Sequence, residues 1–128
     1  MKIDQLDHLV LTVRSIEVAI DFYSRVLGME VVAFGEGRKA LRFGSQKINL
    51  HEQGKEFEPK AHRPTPGSAD LCFLTSVPLG QVQAHLAEQG VVITEGPIRR
   101  TGAVGSLLSV YVRDPDENLI EISNQVYD

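Results

Sequence analysis

The chain reads as an α+β protein made of two βαβββ modules in tandem. Two observations lead there. A strand pattern followed by a helix pattern occurs twice, with twenty residues from His8 to Gly28 and twenty from Asp70 to Gly90. The copies are offset by 62, close to half of the 128 residues. Between them, Glu52 to Ser68 is charged and carries Pro59, Pro64, Pro66 and Gly67, so neither helix nor strand should persist there. The organisation expected is one domain over 1–128, with module 1 at about 1–52, a connector at about 53–68 and module 2 at about 69–128.

Leu6 to Val13 alternates and is β-rich, which predicts a strand. Ser15 is a suitable N-cap, and Glu17 falls in the first turn, where the helix dipole favours an acid. Ala19, Phe22, Tyr23, Val26 and Leu27 recur at helical spacing until Gly28 stops the pattern. Strands follow at Met29 to Phe34, Lys39 to Phe43 and Gln46 to His51, separated by glycine turns. The second copy repeats the order. Asp70 to Leu74 is a strand, Pro78 opens a helix striped by Leu79, Val82 and Leu86, and Gly90 ends it. Val91 to Thr94 is the next predicted strand. Leu107 to Arg113 and Asn118 to Ser123 form a hairpin around Asp114-Pro115-Asp116-Glu117. The surplus residues of this half, Gly96 to Ser106, read as a glycine-containing loop carrying Arg99 and Arg100.

Composition narrows the function. Thirteen basic against seventeen acidic residues argue against a nucleic-acid partner. No apolar run approaches the ~20 residues of a membrane span, and the acidic amino terminus does not resemble a signal peptide. A lone Cys72 forms no internal disulfide, which fits a cytoplasmic location and marks it as a core or pocket-wall residue. His62 lies in the connector and reads as a solvated loop histidine.

Strand parity sorts the remaining polar groups. Leu9, Leu11 and Val13 oppose His8, Val10 and Thr12; Ile48 and Leu50 oppose Lys47, Asn49 and His51. Leu71 and Phe73 oppose Asp70, Cys72 and Leu74; Ile120 and Ile122 oppose Leu119, Glu121 and Ser123. Four strands therefore have one apolar face for a helix to cover and one face bearing His8, Asn49 with His51, Asp70, or Glu121. Nitrogen and oxygen donors in a cavity wall suit a divalent cation, which would offset the cost of burying them. Equivalent placement in a repeat predicts one shared site built by the two halves.

The same residues carry a resemblance. Leu6-Asp7-His8-Leu9-Val10-Leu11, Phe22-Tyr23-Ser24-Arg25-Val26-Leu27-Gly28-Met29 and Asp114-Pro115-Asp116-Glu117-Asn118-Leu119-Ile120-Glu121 resemble the vicinal oxygen chelate superfamily over nearly the whole chain. That superfamily includes glyoxalase I, extradiol dioxygenases, thiol transferases and bleomycin-binding proteins. The nearest likeness is to small glyoxalase-domain proteins of the lactoylglutathione lyase type. The resemblance implies paired modules forming an incomplete barrel, with metal ligands on the first and last strand of each. His8 matches the first ligand and Glu121 the last. Asp70 stands where the family generally has histidine, and Asn49 where glyoxalase I has a glutamate; His51 is the alternative to Asn49. Thr12 replaces an arginine that helps hold glutathione, which argues against that co-substrate.

The function expected is a divalent-metal-dependent lyase that isomerises a small α-oxo compound, or its thiol adduct, through an enediolate. Glu121 would move the proton as base and then acid. His8, Glu121, Asp70 and His51 (or Asn49) would hold one divalent ion, Ni, Zn, Mn, Co or Fe. Thr12, Cys72, Arg99 and Arg100 would contact substrate, the two arginines receiving an anionic group. The alternatives are a thiol transferase or dioxygenase on the same scaffold, or a non-catalytic small-molecule binding protein. A homodimer is the assembly expected.

Overall fold

The computed structural model describes residues 1–127. It consists of two compact units, Met1–Gly67 and Ser68–Asp128. Unit 1 runs β1 (His8–Val13), α1 (Ile16–Asp21) continuing into a π-helical segment (Phe22–Val26), β2 (Glu30–Phe34), β3 (Arg38–Phe43) and β4 (Gln46–Glu52). Unit 2 runs β5 (Asp70–Leu74), α2 (Leu79–Glu88), β6 (Glu95–Thr101), β7 (Ser106–Arg113) and β8 (Leu119–Gln125). Each unit is thus βαβββ, and the residues between β4 and β5 contain neither helix nor strand. Both sheets have four strands, ordered β1-β4-β3-β2 and β5-β8-β7-β6, and neither closes on itself. In each, the last strand lies parallel to the first and the other pairings are antiparallel.

The first helix forms as its sequence requires. Ser15 Oγ accepts the Val18 N–H at 3.3 Å, and Gly28, at φ +70°, provides the left-handed residue that lets Met29 N–H reach the Tyr23 carbonyl at 3.0 Å. Its second half is wider than an α-helix. The Ser24 hydroxyl donates to the Ile20 carbonyl at 2.6 Å, competing with the backbone for that acceptor. Ala19, Phe22, Tyr23 and Val26 are buried, as are Leu11, Val13, Ile48 and Leu50 on the predicted apolar faces of β1 and β4. In unit 2 the buried stripe of α2 (Leu79, Val82, Leu86) accompanies buried Val110, Val112, Ile120 and Ile122.

Helix α2 lacks a local side-chain cap, since Pro78 has none to offer. Asn124, at the end of β8, supplies it from a distance. Its Oδ1 accepts the Leu79 N–H at 2.8 Å, while Nδ2 donates to the carbonyls of Thr75 and Val77, both at 2.9 Å. Glu52 at the end of β4 does the same for α1, its Oε1 accepting the Ile16 N–H at 3.3 Å. The repeat therefore includes the caps: the last strand of each module fixes where its helix starts.

One expected element is placed differently. Val91 to Thr94 is not a strand; β6 is Glu95–Thr101, so Arg99 and Arg100 stand on a strand and not on a loop. The Gly96-Pro97 pair, at the start of the expected loop, is accommodated by a register shift between Glu95 and Ile98 at the sheet edge. Only glycine fits at 96. A Cβ there would meet the Ser109 carbonyl oxygen at 2.3 Å.

The β7–β8 turn is held by its own side chains. Asp114 Oδ1 accepts the N–H groups of Asp116 and Asn118, each at 2.9 Å, and Oδ2 accepts Asn118 Nδ2 at 2.8 Å. Asn118 Oδ1 in turn accepts the Ala69 N–H at 2.8 Å, just ahead of β5. Asn118 is 1% exposed, so water cannot replace it. Asn118→Ala should lower the unfolding free energy by about 1–3 kcal/mol. A urea midpoint within about 0.5 kcal/mol of wild type, at unchanged slope, would show that the turn does not depend on it.

Candidate functional site

The face of the unit 2 sheet opposite its apolar core gathers the polar groups of four strands. Register places Cys72 beside Glu121, Tyr111 across from Glu121, and Ser109 across from Ser123. Glu121 Oε2 accepts the hydroxyl of Ser109 at 2.6 Å and that of Ser123 at 3.3 Å. The two serine hydroxyls lie 2.6 Å apart, and Cys72 Sγ is 3.4 Å from Ser123 Oγ. Arg100 Nε donates to the Tyr111 hydroxyl at 2.9 Å, and its Nη2 meets Glu95 Oε1 at 3.0 Å.

Two cavities open on this face, of about 400 Å³ and about 340 Å³. Arg100 and Glu121 line both, with Cys72 and Leu107 in the larger and Asp70 and Tyr111 in the smaller. The electrostatics are directional. Burial pushes the Tyr111 phenol up; hydrogen bonding to Arg100 opposes this and Glu121 adds to it. Burial likewise raises the Cys72 thiol, against its bond to Ser123 and with help from Glu121 and Asp70. Cys72 is therefore a protonated wall residue here, not a thiolate nucleophile.

Unit 1 presents the matching face. Lys47, Asn49 and His51 of β4 pair with His8, Val10 and Thr12 of β1. His8 Nδ1 is held by Asp7 Oδ2 at 2.8 Å, which in the neutral ring leaves the Nε2 lone pair for a ligand. Thr12 is buried. His51 is 2% exposed, with neither ring nitrogen partnered, and Asn49 Oδ1 is also buried without a partner. His51 stands four register steps from His8, roughly 13 Å along the strands, while Asn49 is two steps away. The same two-step relation links Asp70 to Glu121. By register, then, Asn49 is the counterpart of Glu121, and His51 that of Ser123.

A resident divalent metal can be tested against these donors. Asp70 and Glu121 line one cavity, and the Asp7–His8 pair is the arrangement that fixes a ligating imidazole. The donor types fit a divalent ion, although among the described residues no three His, Cys, Asp or Glu groups form a ready-made cluster. Of the residues singled out in the sequence, Cys72, Asp70, Arg100 and Glu121 share the unit 2 face. Arg99 neighbours Arg100 in the chain, but strand alternation turns it to the other side. Ser109, Tyr111 and Ser123 escaped the sequence reading as parts of the site, yet the alternation Leu107, Ser109, Tyr111, Arg113 along β7 carries the signal for two of them.

Comparison with known proteins follows the same lines. The family model described as Glyoxalase/Bleomycin resistance protein/Dioxygenase superfamily matches residues 5–122. The chain belongs to that superfamily. It is 60% identical over 126 residues to Virulence protein STM3117 of Salmonella typhimurium, covering 98% of this chain and 88% of that protein. The crystal structure of that protein superposes with a TM-score of 0.97, covering 98% of this chain and 100% of that one. Glyoxalase domain-containing protein RDO1 of Mycosarcoma maydis is also 60% identical, over 97% of this chain and 70% of its own. Lactoylglutathione lyase from Agrobacterium tumefaciens shares the fold at 19% identity and a TM-score of 0.74, covering 97% of this chain and 96% of its own. The antibiotic binding protein TnmS3 from Streptomyces does so at 22% and 0.76, covering 98% of each. No helix among the described residues is long and apolar enough to cross a membrane.

His51 gives this face a pH signature. Burial, with the Arg38 and Lys60 cations and against Glu56, holds its pKa below 6.5. The unfolded chain thus takes up this proton at higher pH than the folded protein does. Stability is full above 6.5 and falls as the pH drops through that value toward the folded pKa. Between about pH 7.5 and about pH 5.5, the urea midpoint of wild type should fall further than that of His51→Gln. Equal falls would contradict a buried neutral imidazole.

Proposed function

We propose that the protein is a glyoxalase-like lyase that moves a proton between neighbouring carbons of a small α-oxo compound or its thiol adduct, with Glu121 as base and then acid. The observation that carries this reading is the placement of Glu121. Its Oε2 is fixed by two serine hydroxyls while the carboxylate lines both cavities of unit 2. Positioned hydrogen bonds orient a carboxylate without consuming all its lone pairs, leaving capacity to accept a proton from carbon. Arg100, tied to Tyr111 and Glu95, stays a cation and faces the same space, so it would orient an anionic or carbonyl oxygen of the substrate. Tyr111, kept protonated by burial, is a hydroxyl donor beside the developing charge. Leu74 and Leu107 give the larger cavity apolar walls.

Asp70 and Glu121, which line one cavity of unit 2, would hold a divalent metal. When bound, the metal would supply Lewis-acid stabilisation of negative charge on adjacent substrate oxygens. Thr12 in place of the expected arginine weighs against glutathione as co-substrate.

Glu121→Gln keeps the serine contacts and removes the base. In a screen of α-oxo aldehydes with and without a thiol over several divalent ions, it should lower kcat by roughly 100-fold or more, with the melting temperature preserved. Undiminished turnover would remove Glu121 from the chemistry. A sample that turns over nothing yet binds an organic ligand stoichiometrically would favour the second reading, a binding protein, which the apolar walls of the larger cavity also allow.

A further inference from the structure

Unit 1 buries polar atoms that the chain itself leaves unsatisfied. They are Arg38 Nε, Asn49 Oδ1 and both ring nitrogens of His51. Buried polar groups in folded proteins are nearly always hydrogen-bonded, so four such atoms together ask for an occupant. They share one sheet face. Asn49 and His51 alternate along β4, and Ala40, which pairs with Asn49, is two residues from Arg38 on β3.

Arg38 is prepared for binding. Its guanidinium lies over the rings of Phe34 at 4.9 Å and Phe57 at 4.7 Å, and Phe57 also meets the His51 ring edge at 5.6 Å. Among the described residues no carboxylate pairs with Arg38. The nearby Glu56 is engaged elsewhere, by Lys60 at 3.7 Å and the Gly54 N–H at 2.8 Å. Lys47, 4.0 Å from the centre of the Phe34 ring, adds a second cation. A planar cation held between two rings loses little freedom on engaging a ligand, and its fork suits an oxyanion.

We propose that this face of unit 1 is a binding site for a small-molecule oxyanion, a carboxylate or a phosphate, bearing a hydroxyl. Arg38 supplies the charge and His51 a ring N–H, while Asn49 Oδ1 accepts from the ligand's hydroxyl. Ordered water would satisfy the hydrogen bonds but leave the guanidinium without a counter-charge. The site stands whether or not Glu121 is a base, because none of its groups belongs to the unit 2 face.

The direct test is protein-observed NMR of the His51 ring nitrogens during titration with lactate, and separately with inorganic phosphate, at constant ionic strength made up with chloride. A saturable shift is expected, and the anion that gives it tells carboxylate from phosphate. Arg38→Gln should weaken that binding at least roughly tenfold and Arg38→Lys less. Arg42→Gln should leave it unchanged, since Arg42 is spent on Glu30 at 2.8 Å. No saturable shift with either anion would overturn the site. So would a shift equally strong in folded Arg38→Gln, or one that chloride alone reproduces. The readout needs neither metal nor turnover, so failure of the lyase reading leaves it intact.

Discussion

Everything in this protein follows from pairing the first strand of each module parallel to its last. A parallel neighbour cannot be reached by a tight turn, so the chain must spend a helix and two further strands before returning. The returning strand then sits beside the first with side chains in step: Val10 with Asn49 in one module, Cys72 with Glu121 in the other. One face of that pair is apolar and buried with the helix residues. The opposite face receives the polar residues of both strands without further design.

The caps tie helix to strand in the same place. Glu52 and Asn124 end β4 and β8, three residues past Asn49 and Glu121, and each holds the first N–H of its module's helix. Moving the last strand by one residue would expose its core face and also release the helix start. Site and scaffold are therefore fixed by the same register. The modules differ in what they place on it: unit 2 a carboxylate held by hydroxyls, unit 1 an amide and a neutral imidazole beside a clamped arginine.

Much of this was legible in the residues themselves. Spacing from His8 to Gly28 and from Asp70 to Gly90 exposed the repeat, and period-two alternation identified the apolar faces that are buried. Glycine at 28 and serine at 15 behave as local chemistry requires. What escaped has physical reasons. The glycines of Gly96 to Ser106 suggest a loop, but an edge strand with a shifted register absorbs Gly96-Pro97, so Arg100 belongs to a strand. The Ser109–Glu121–Ser123 contacts depend on which residues of β7 and β8 face one another, and pairing register is a long-range property. Asn124 as a helix cap acts across 45 residues of chain. That Asn49 rather than His51 is the register counterpart of Glu121 comes from counting strand pairs from His8 and Asp70, which spacing alone does not give.

The central claim is that Glu121 exchanges a proton with substrate carbon. Its most direct test is solvent deuterium incorporation, followed by proton NMR, into an α-oxo substrate identified by the activity screen and its product, for wild type and Glu121→Gln in heavy water. Wild type should introduce deuterium at the carbon whose bond is broken, and the variant, folded and loaded with the same ion, should not. Product formed by wild type without solvent deuterium, or equal incorporation by the variant, would contradict the account.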